Sequence, residues 1–309
     1  MLLRYILKRI GISVITLWVV ITLTFFLLRL LPGGPFLGER NIPETIMKNL
    51  EVKYGLDKPL FEQYTIYLKN LVKGDMGPSM KYTGREVSEI INYSFPDSAK
   101  LGTVAIILSL VLGVALGIVA ALNHNRWPDS LCMVLATLGV TIPSFVLATV
   151  LMYIFGIKYQ IFPITGLDKW KNYILPVLAL SGYSIAFISR LARSKLLEVM
   201  KSDYIRTAKA KGVNQKSIII KHALRNTLIP IVTYLGPLIA GILTGSFVIE
   251  KIFAIPGLGR EFVTTITNRD YTVIMGVTIF YSAILITCNL IVDLLYVVID
   301  PRIKLENIE

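Results

Sequence analysis

The sequence is short of charge. Asp, Glu, Lys and Arg make up 17% of its 309 residues, against 54% hydrophobic ones, whereas a soluble domain carries about a quarter charged residues. That deficit excludes an ordinary soluble chain of this size. Histidine and cysteine are scarce too, at two residues each. His124 and His222 form no metal pair, and Cys132 and Cys288 sit inside apolar runs with no metal-ligand or disulfide spacing. Both thiols are expected to be small buried hydrophobes. No G-x-x-x-x-G-K-S/T stretch occurs, which excludes a P-loop of this chain's own around ATP phosphates. The clustered His, Asp or Glu that a membrane enzyme needs are not visible, and neither is an internal repeat. The formal charge of +12 would suit nucleic acid, but no soluble basic domain carries it, so no nucleic-acid partner is expected.

What the chain does have is long apolar runs. A helix of about 20 apolar residues crosses a bilayer core of roughly 30 Å. The pattern predicts an all-α polytopic membrane protein with six spans, at about Ile10–Leu31, Leu101–Leu122, Leu131–Ile157, Ile174–Leu191, Leu228–Ile249 and Val273–Ile299. The basic, apolar start imitates a signal peptide. Its apolar run is too long for one, and "LPGGP" follows instead of a small-residue cleavage site, so it reads as an uncleaved first span. Arg4, Lys8 and Arg9 precede that span with no acid, and Arg190–Arg225 holds ten basic residues against Glu198 and Asp203. The positive-inside rule then puts both termini and the 190–227 loop in the cytoplasm. Lys158, Lys169 and Lys171 pull the other way and are outweighed. Pro32–Ser98 falls outside the membrane, where its eight basic and nine acidic residues nearly cancel, and its aromatic content predicts a small folded cap. The expected division is 1–98, first span plus extracellular cap, and 99–309, a five-span core with a cytoplasmic loop at about 195–227.

That loop contains "DYIRTAKAKGVNQKSIIIKHALRN", Asp203–Asn226. A short helix from Asp203 to Lys211 is predicted, with Asp203 as N-cap, small Ala208 and Ala210, and Gly212 ending it. A second helix runs from about Gln215 to Arg225 and leads back to the membrane at Leu228. This is either a docking device for another protein or a solvated basic loop near anionic headgroups. Between the last two spans, Gly241-x-x-x-Gly245 and Ser246 give a small-residue face. "IPGLG", Ile255–Gly259, then breaks the helix, and its apolar residues lie in the interface or plug the outer mouth. "GVTIPSF" kinks the third span at Pro143, where Thr141 and Ser144 are available to freed carbonyls. Arg29 is placed to snorkel at an outer span end, and Asp293 near the inner end of the sixth span is expected to be solvated or paired.

The Asp203–Asn226 stretch resembles the cytoplasmic "EAA" loop of bacterial ABC importer permeases. Aligned on Gly212, the Glu position is Arg206, the two Ala positions are Thr207 and Ala208, the Ile position is His222, the Leu position is Leu224 and the Pro position is Arg225. These departures resemble the dipeptide/oligopeptide branch, most of all the B-type oligopeptide permease subunit. So do "LTGSFVIEKIFAIPGLGREFVTTITNRDYTVIMG", "YGLDKPLFEQY" and the N-terminal span. The resemblance implies a type I importer permease fold in a bacterial cytoplasmic membrane. It implies coupling to ATPases through Asp203, Tyr204, Arg206, Thr207, Ala208, Lys209 and Gly212, with His222, Leu224 and Arg225 on the return. A gate region at Ile255, Pro256, Gly257, Leu258 and Gly259 follows as well. The partners implied are a second homologous permease, two P-loop ATPases that bind ATP and Mg, an extracellular peptide-binding protein and membrane lipid. This chain would be no enzyme and hold no cofactor itself. An importer of dipeptides or nickel chelate is an alternative. A secondary transporter is another, though ion-site charges within spans and inverted repeats are not evident.

Overall fold

A computed structural model describes residues 2–32, 34–36 and 43–299, with the side chains of 2–5, 44, 244–245 and 295–299 outside that description. The elements are α1 (Leu2–Leu30), α2 (Glu44–Lys53), α3 (Leu60–Val72), α4 (Val87–Leu122), α5 (Trp127–Thr141), α6 (Ser144–Leu151, continued by a π-helical segment Met152–Lys158), α7 (Trp170–Met200), α8 (Asp203–Ala210), α9 (Gln215–Ser217, continued by a π-helical segment Ile218–Ala223), α10 (Leu224–Thr233), α11 (Leu235–Ile252), α12 (Leu258–Asn268) and α13 (Tyr271–Ile299). Among the described residues the extended pairing is a single antiparallel bridge between Pro78 and Glu86. Among the described residues five helices are long and apolar enough to cross a membrane, and α5 with α6 makes a sixth candidate as one bent pair.

Two expected spans are broken rather than continuous. At the third, the kink predicted at Pro143 is a 106° bend. The residue before a proline is driven out of the helical region, and Ile142 (ψ 120°) and Pro143 (ψ 141°) are both extended. Thr141 donates its hydroxyl to Thr137 O at 2.8 Å, within its own turn. At the fifth, α10 stops at Thr233 and α11 restarts at Leu235. Pro237 has no N–H for Thr233 O, and its ring crowds that carbonyl. The apolar pattern runs through the break, and Pro237 is the sequence feature that marks it.

The described chain forms two compact units. The first is Met1–Asp97 with Pro256–Thr287, and the second is Ser98–Ile255 with Cys288–Glu309. Pro256–Thr287, expected in the core, therefore clusters with the N-terminal segment.

In the first unit, α1, α3 and α13 share a core that includes Phe25, Leu28, Tyr64, Tyr271 and Met275. The loop before α4 is clamped by Asp270, which is fully buried. Its carboxyl oxygens accept from Ser79 Oγ, from the amides of Met80 and Lys81, and from Thr272 Oγ1 and the Val273 amide at the start of α13. One carboxyl thus caps a helix and fastens a loop about 190 residues earlier in the chain. α4 begins at Val87, well inside the region expected to be cap, and its 36 residues span about 54 Å. That exceeds the bilayer core. Residues 37–42 of the expected cap lie outside the described set. Arg29 does not snorkel freely: its Nε donates to Gln63 Oε1 at 2.9 Å.

In the second unit α7 is the spine. Ile188, Ala192 and Leu196 are fully buried along it, and glycines let neighbours approach. A Cβ at Gly113 would lie 2.7 Å from Ile188 Cβ, and one at Gly117 would lie 2.5 Å from Ala192 Cβ and 2.6 Å from Ser189 O. Gly139 of α5 sits as tightly, 2.9 Å from Ala186 Cβ by the same measure. Small residues bring membrane helices to backbone contact in this way. Gly241 behaves differently, since a Cβ there would meet open space; the Gly245 half of that motif lies outside the described side chains. Cys132 is buried and Cys288 half-buried, both free thiols.

Candidate functional site

The short helix between α7 and α10 is held by one fully buried side chain. Ile205 packs with Leu196, Ile218, Ala223 and Ala121, and the half-buried Ala208 and Val213 border that cluster. The remainder of α8 turns outward: Asp203, Tyr204, Arg206, Thr207 and Lys209 are exposed. An eight-residue helix is too short to persist alone in water, so this anchor is what keeps it folded. The N-cap is Ser202, not Asp203. Ser202 is extended and Asp203 is the first helical residue, where its charge suits the positive end of the helix. Ala208 is half-buried against the chain's own cluster. Ala210 is the exposed small residue.

The helix ends one residue earlier than the sequence suggested, in a Schellman turn. The Gly212 amide donates to Lys209 O at 3.0 Å and the Val213 amide to Ala208 O at 3.2 Å, and Ala208 and Val213, the two positions where such turns carry apolar residues, both pack against the Ile205 cluster. Gly212 has φ +77° with open space around its Cβ position, so glycine is required there by backbone conformation and not by crowding. Gly212→Ala is expected to cost about 1–2 kcal/mol, seen as faster hydrogen exchange at the Val213 amide with no change in the membrane helices. Equal protection in the variant would exclude this role.

Asn214 then caps the return, accepting the Ser217 amide at 2.7 Å. Asn226 Nδ2 donates to Tyr204 Oη at 2.6 Å, tying α8 to α10. Tyr204 is thus an internal strut as well as an exposed residue. His222 and Arg225 are exposed and Leu224 is half-buried, around the junction of the π-helical segment with α10.

A polar lock that sequence reasoning missed sits in the same unit. Arg193 of α7 forks onto Asp129, Nε to Oδ1 at 2.6 Å and Nη2 to Oδ2 at 2.7 Å. Asp129 also accepts the Asn125 amide at 3.0 Å, and His124 Nδ1 lies 3.1 Å from Arg193 Nη2. Asp129 is 3% exposed, which makes this bidentate pair one of the strong kind. It ties the α4–α5 turn to α7 less than one turn before Leu196, the residue against which Ile205 packs. The available signal was a lone acid at the start of an apolar helix.

At the expected gate, Ile255 and Leu258 are fully buried and Pro256 is exposed. Ala254 takes a left-handed φ of 49°, and the Ile255 amide donates back to Glu250 O at 2.9 Å, ending α11. Gly257 is the N-cap of α12, and Gly259 is buried within it. The chain does not simply break outside, as "IPGLG" suggested; it starts a new 11-residue helix. Ile255 belongs to the second unit's core and Leu258 to the first unit.

Among the described residues the chain is a helical membrane protein that holds a short amphipathic helix on a loop between two of its spans. The model of the family "Binding-protein-dependent transport system inner membrane component" matches residues 113–305, and that of the N-terminal component of the same systems matches residues 2–116. The chain therefore belongs to this family and is a membrane permease subunit of an ABC importer. It is 49% identical to the dipeptide transport system permease protein of Bacillus subtilis (strain 168), over 98% of this chain and 99% of that one. It is 48% identical to the oligopeptide transport system permease protein of Haemophilus influenzae, over 98% and 100%. Among solved structures, a methionine ABC transporter in an inward-facing conformation matches with TM-score 0.59 at 15% identity, covering 69% of this chain and 97% of that one. An amino acid ABC transporter matches with TM-score 0.54 at 14% identity, covering 68% and 94%. These two establish the type I importer permease fold.

Proposed function

We propose that the chain is one of two homologous membrane subunits of an ATP-driven importer of short peptides, with oligopeptides the favoured substrate. Its near full-length similarity to permeases named for dipeptide and oligopeptide transport supports the substrate class. The second permease, an external peptide-binding protein and two P-loop ATPases that bind ATP and Mg complete the assembly. Both termini and α8 face the cytoplasm, as the basic residues flanking α8 favour.

The observation that carries the mechanism is the construction of α8: one buried isoleucine inward, and exposed Tyr204, Arg206, Thr207 and Lys209 outward. Such a helix docks in a groove of an ATPase. Closure of the ATPases on nucleotide moves the groove, and α8 transmits the motion through Ile205 and Leu196 to α7. Nucleotide then shifts the population between inward- and outward-open pathways by its differential affinity for the two states. Ile255–Gly259 moves with that shift as a gate element.

The double variant Arg206→Glu and Lys209→Glu tests this reading, because both side chains are exposed and their replacement leaves the fold intact. Peptide uptake is expected to fall at least about tenfold, with the ATPases lost on purification. A variant that imports peptide normally would remove α8 from the coupling path. Competition of uptake by peptides of two and five residues decides the substrate length.

A further inference from the structure

One face of α7 stays bare within the second unit. Tyr183, Phe187, Arg190 and Ser194 recur at the spacing of a single helical face, and each is exposed or half-buried. Phe187 lies between Tyr183 and Tyr234, with ring centroids 6.4 and 4.3 Å away. Thr137 and Thr141 of the neighbouring α5 are exposed too. Arg190 is the charge in this surface.

Arg190 stands inside the apolar layer. Gly117 of α4 packs on Ala192 of the parallel α7, and the apolar run of α4 ends at Leu122, before Asn123, His124, Asn125 and Arg126. At 1.5 Å per residue, Arg190 is about 10 Å in from that cytoplasmic edge. Its side chain does not reach back toward the edge. Ala186 packs beside Gly139 of the antiparallel α5, which puts Arg190 level with Leu135. Its Nη2 nevertheless donates to Thr137 Oγ1 at 3.0 Å, deeper in the layer. Arg193, one turn later, bends the other way, to Asp129.

That bond orients the guanidinium without neutralising it. The Thr137 hydroxyl donates to Met133 O at 2.8 Å, so it meets Arg190 with a lone pair. Among the described residues no carboxylate pairs with Arg190. Asp129 is taken by Arg193, and Glu198, two turns further along α7, by Lys195.

A cation at this depth faces a water-filled path or an anionic partner rather than acyl chains. The cargo of the proposed pathway supplies the anion, since every peptide with a free C-terminus carries one carboxylate, whatever its length or sequence. A guanidinium forks onto a carboxylate through two parallel bonds. The neighbouring rings offer apolar surface to a side chain of any kind.

Resting on peptide import as the function, we infer that Arg190 binds the C-terminal carboxylate of the peptide in transit. Thr137 positions the guanidinium, and Tyr183 and Phe187 flank the site.

The test uses the whole importer in proteoliposomes, with its binding protein, ATP and Mg. Uptake of radiolabelled alanine peptides of two and five residues is compared with uptake of their C-terminal amides. The binding protein is the same throughout, so a change in the acid-to-amide ratio belongs to the permease. Arg190→Gln is expected to lower uptake of the acids about tenfold and of the amides less than about twofold. Arg190→Lys should keep part of the preference, because it keeps the charge and loses the fork. Thr137→Val removes the hydroxyl at nearly constant shape and should lower the ratio about threefold. Equal losses of acid and amide in Arg190→Gln would make the residue structural and overturn the proposal. So would a folded Arg190→Gln chain that no longer co-purifies with the second permease, since the anion would then be that subunit's. If Arg190→Gln is not recovered, Arg190→Lys and Thr137→Val carry the comparison, and an unchanged ratio in both overturns the contact. A wild-type importer that takes up neither acid nor amide rejects peptide import itself; peptide uptake with an unaltered ratio in the variants rejects only the Arg190 contact.

Discussion

Gly117→Leu is expected to stop α4 from docking on α7. A Cβ at Gly117 would stand 2.6 Å from Ser189 O and 3.1 Å from the Arg193 amide nitrogen, both backbone atoms of α7. Backbone in a helix cannot rotate aside as a side chain does, so the two helices must separate. Overpacking a tight contact costs about 1–3 kcal/mol, and more when nothing yields. Here about 3 kcal/mol or more is expected, a large fraction of a domain's margin. The measurement is the amount of folded protein in the membrane and its thermal midpoint in detergent. Gly11→Leu is the control: a Cβ there meets nothing within 4 Å, and its effect should stay within about 0.5 kcal/mol. Similar losses for the two would show that α4 and α7 do not rely on glycine for contact.

Asp129→Ala is expected to be nearly as damaging, for an electrostatic reason. It leaves the Arg193 guanidinium, whose side chain is 23% exposed, without the carboxylate it forks onto. Removing one partner of a buried pair costs about 3–5 kcal/mol, because the remaining charge stays desolvated. Arg193→Met should cost a similar amount, because it strands the buried carboxylate. Asp129→Ala combined with Arg193→Met should recover much of it, since two apolar groups leave no orphan charge. A double-mutant cycle reads the coupling directly. Additive losses would show the pair to be incidental. Because Arg193 lies on α7 just before Leu196, each single variant should also loosen α8, seen as faster exchange at the Ile205 amide. The double variant should restore that protection.

Much of the architecture was legible in the sequence. Apolar runs of about 20 residues have few places to go other than a membrane, so six spans could be placed from composition. Gly212 could be placed as the end of a helix because a left-handed residue after a short polar helix is usually glycine. What stayed hidden depended on partners far away in the chain. Asp270 gave no sign that it would hold Ser79, and Asp129 none that Arg193 would meet it. Ala208 and Ala210 look alike as small residues, and which of them faces inward was fixed by Ile205, one helical turn before Ala208, going into the core. α12 went unseen because "IPGLG" signals a break and does not say what begins after it.

The sequence by itself determined the class of this protein: its solvent, its helical content, and a basic loop whose short helix ends at Gly212. Those follow from residue type and local spacing, which act within a few positions. Only the tertiary structure decided which face of α8 is free, which glycines are contacts and which merely open, and how far the third span bends at Pro143. These depend on distances between residues tens to hundreds of positions apart, and on whether a turn's lost hydrogen bonds and packing are recovered by neighbours that local spacing does not specify.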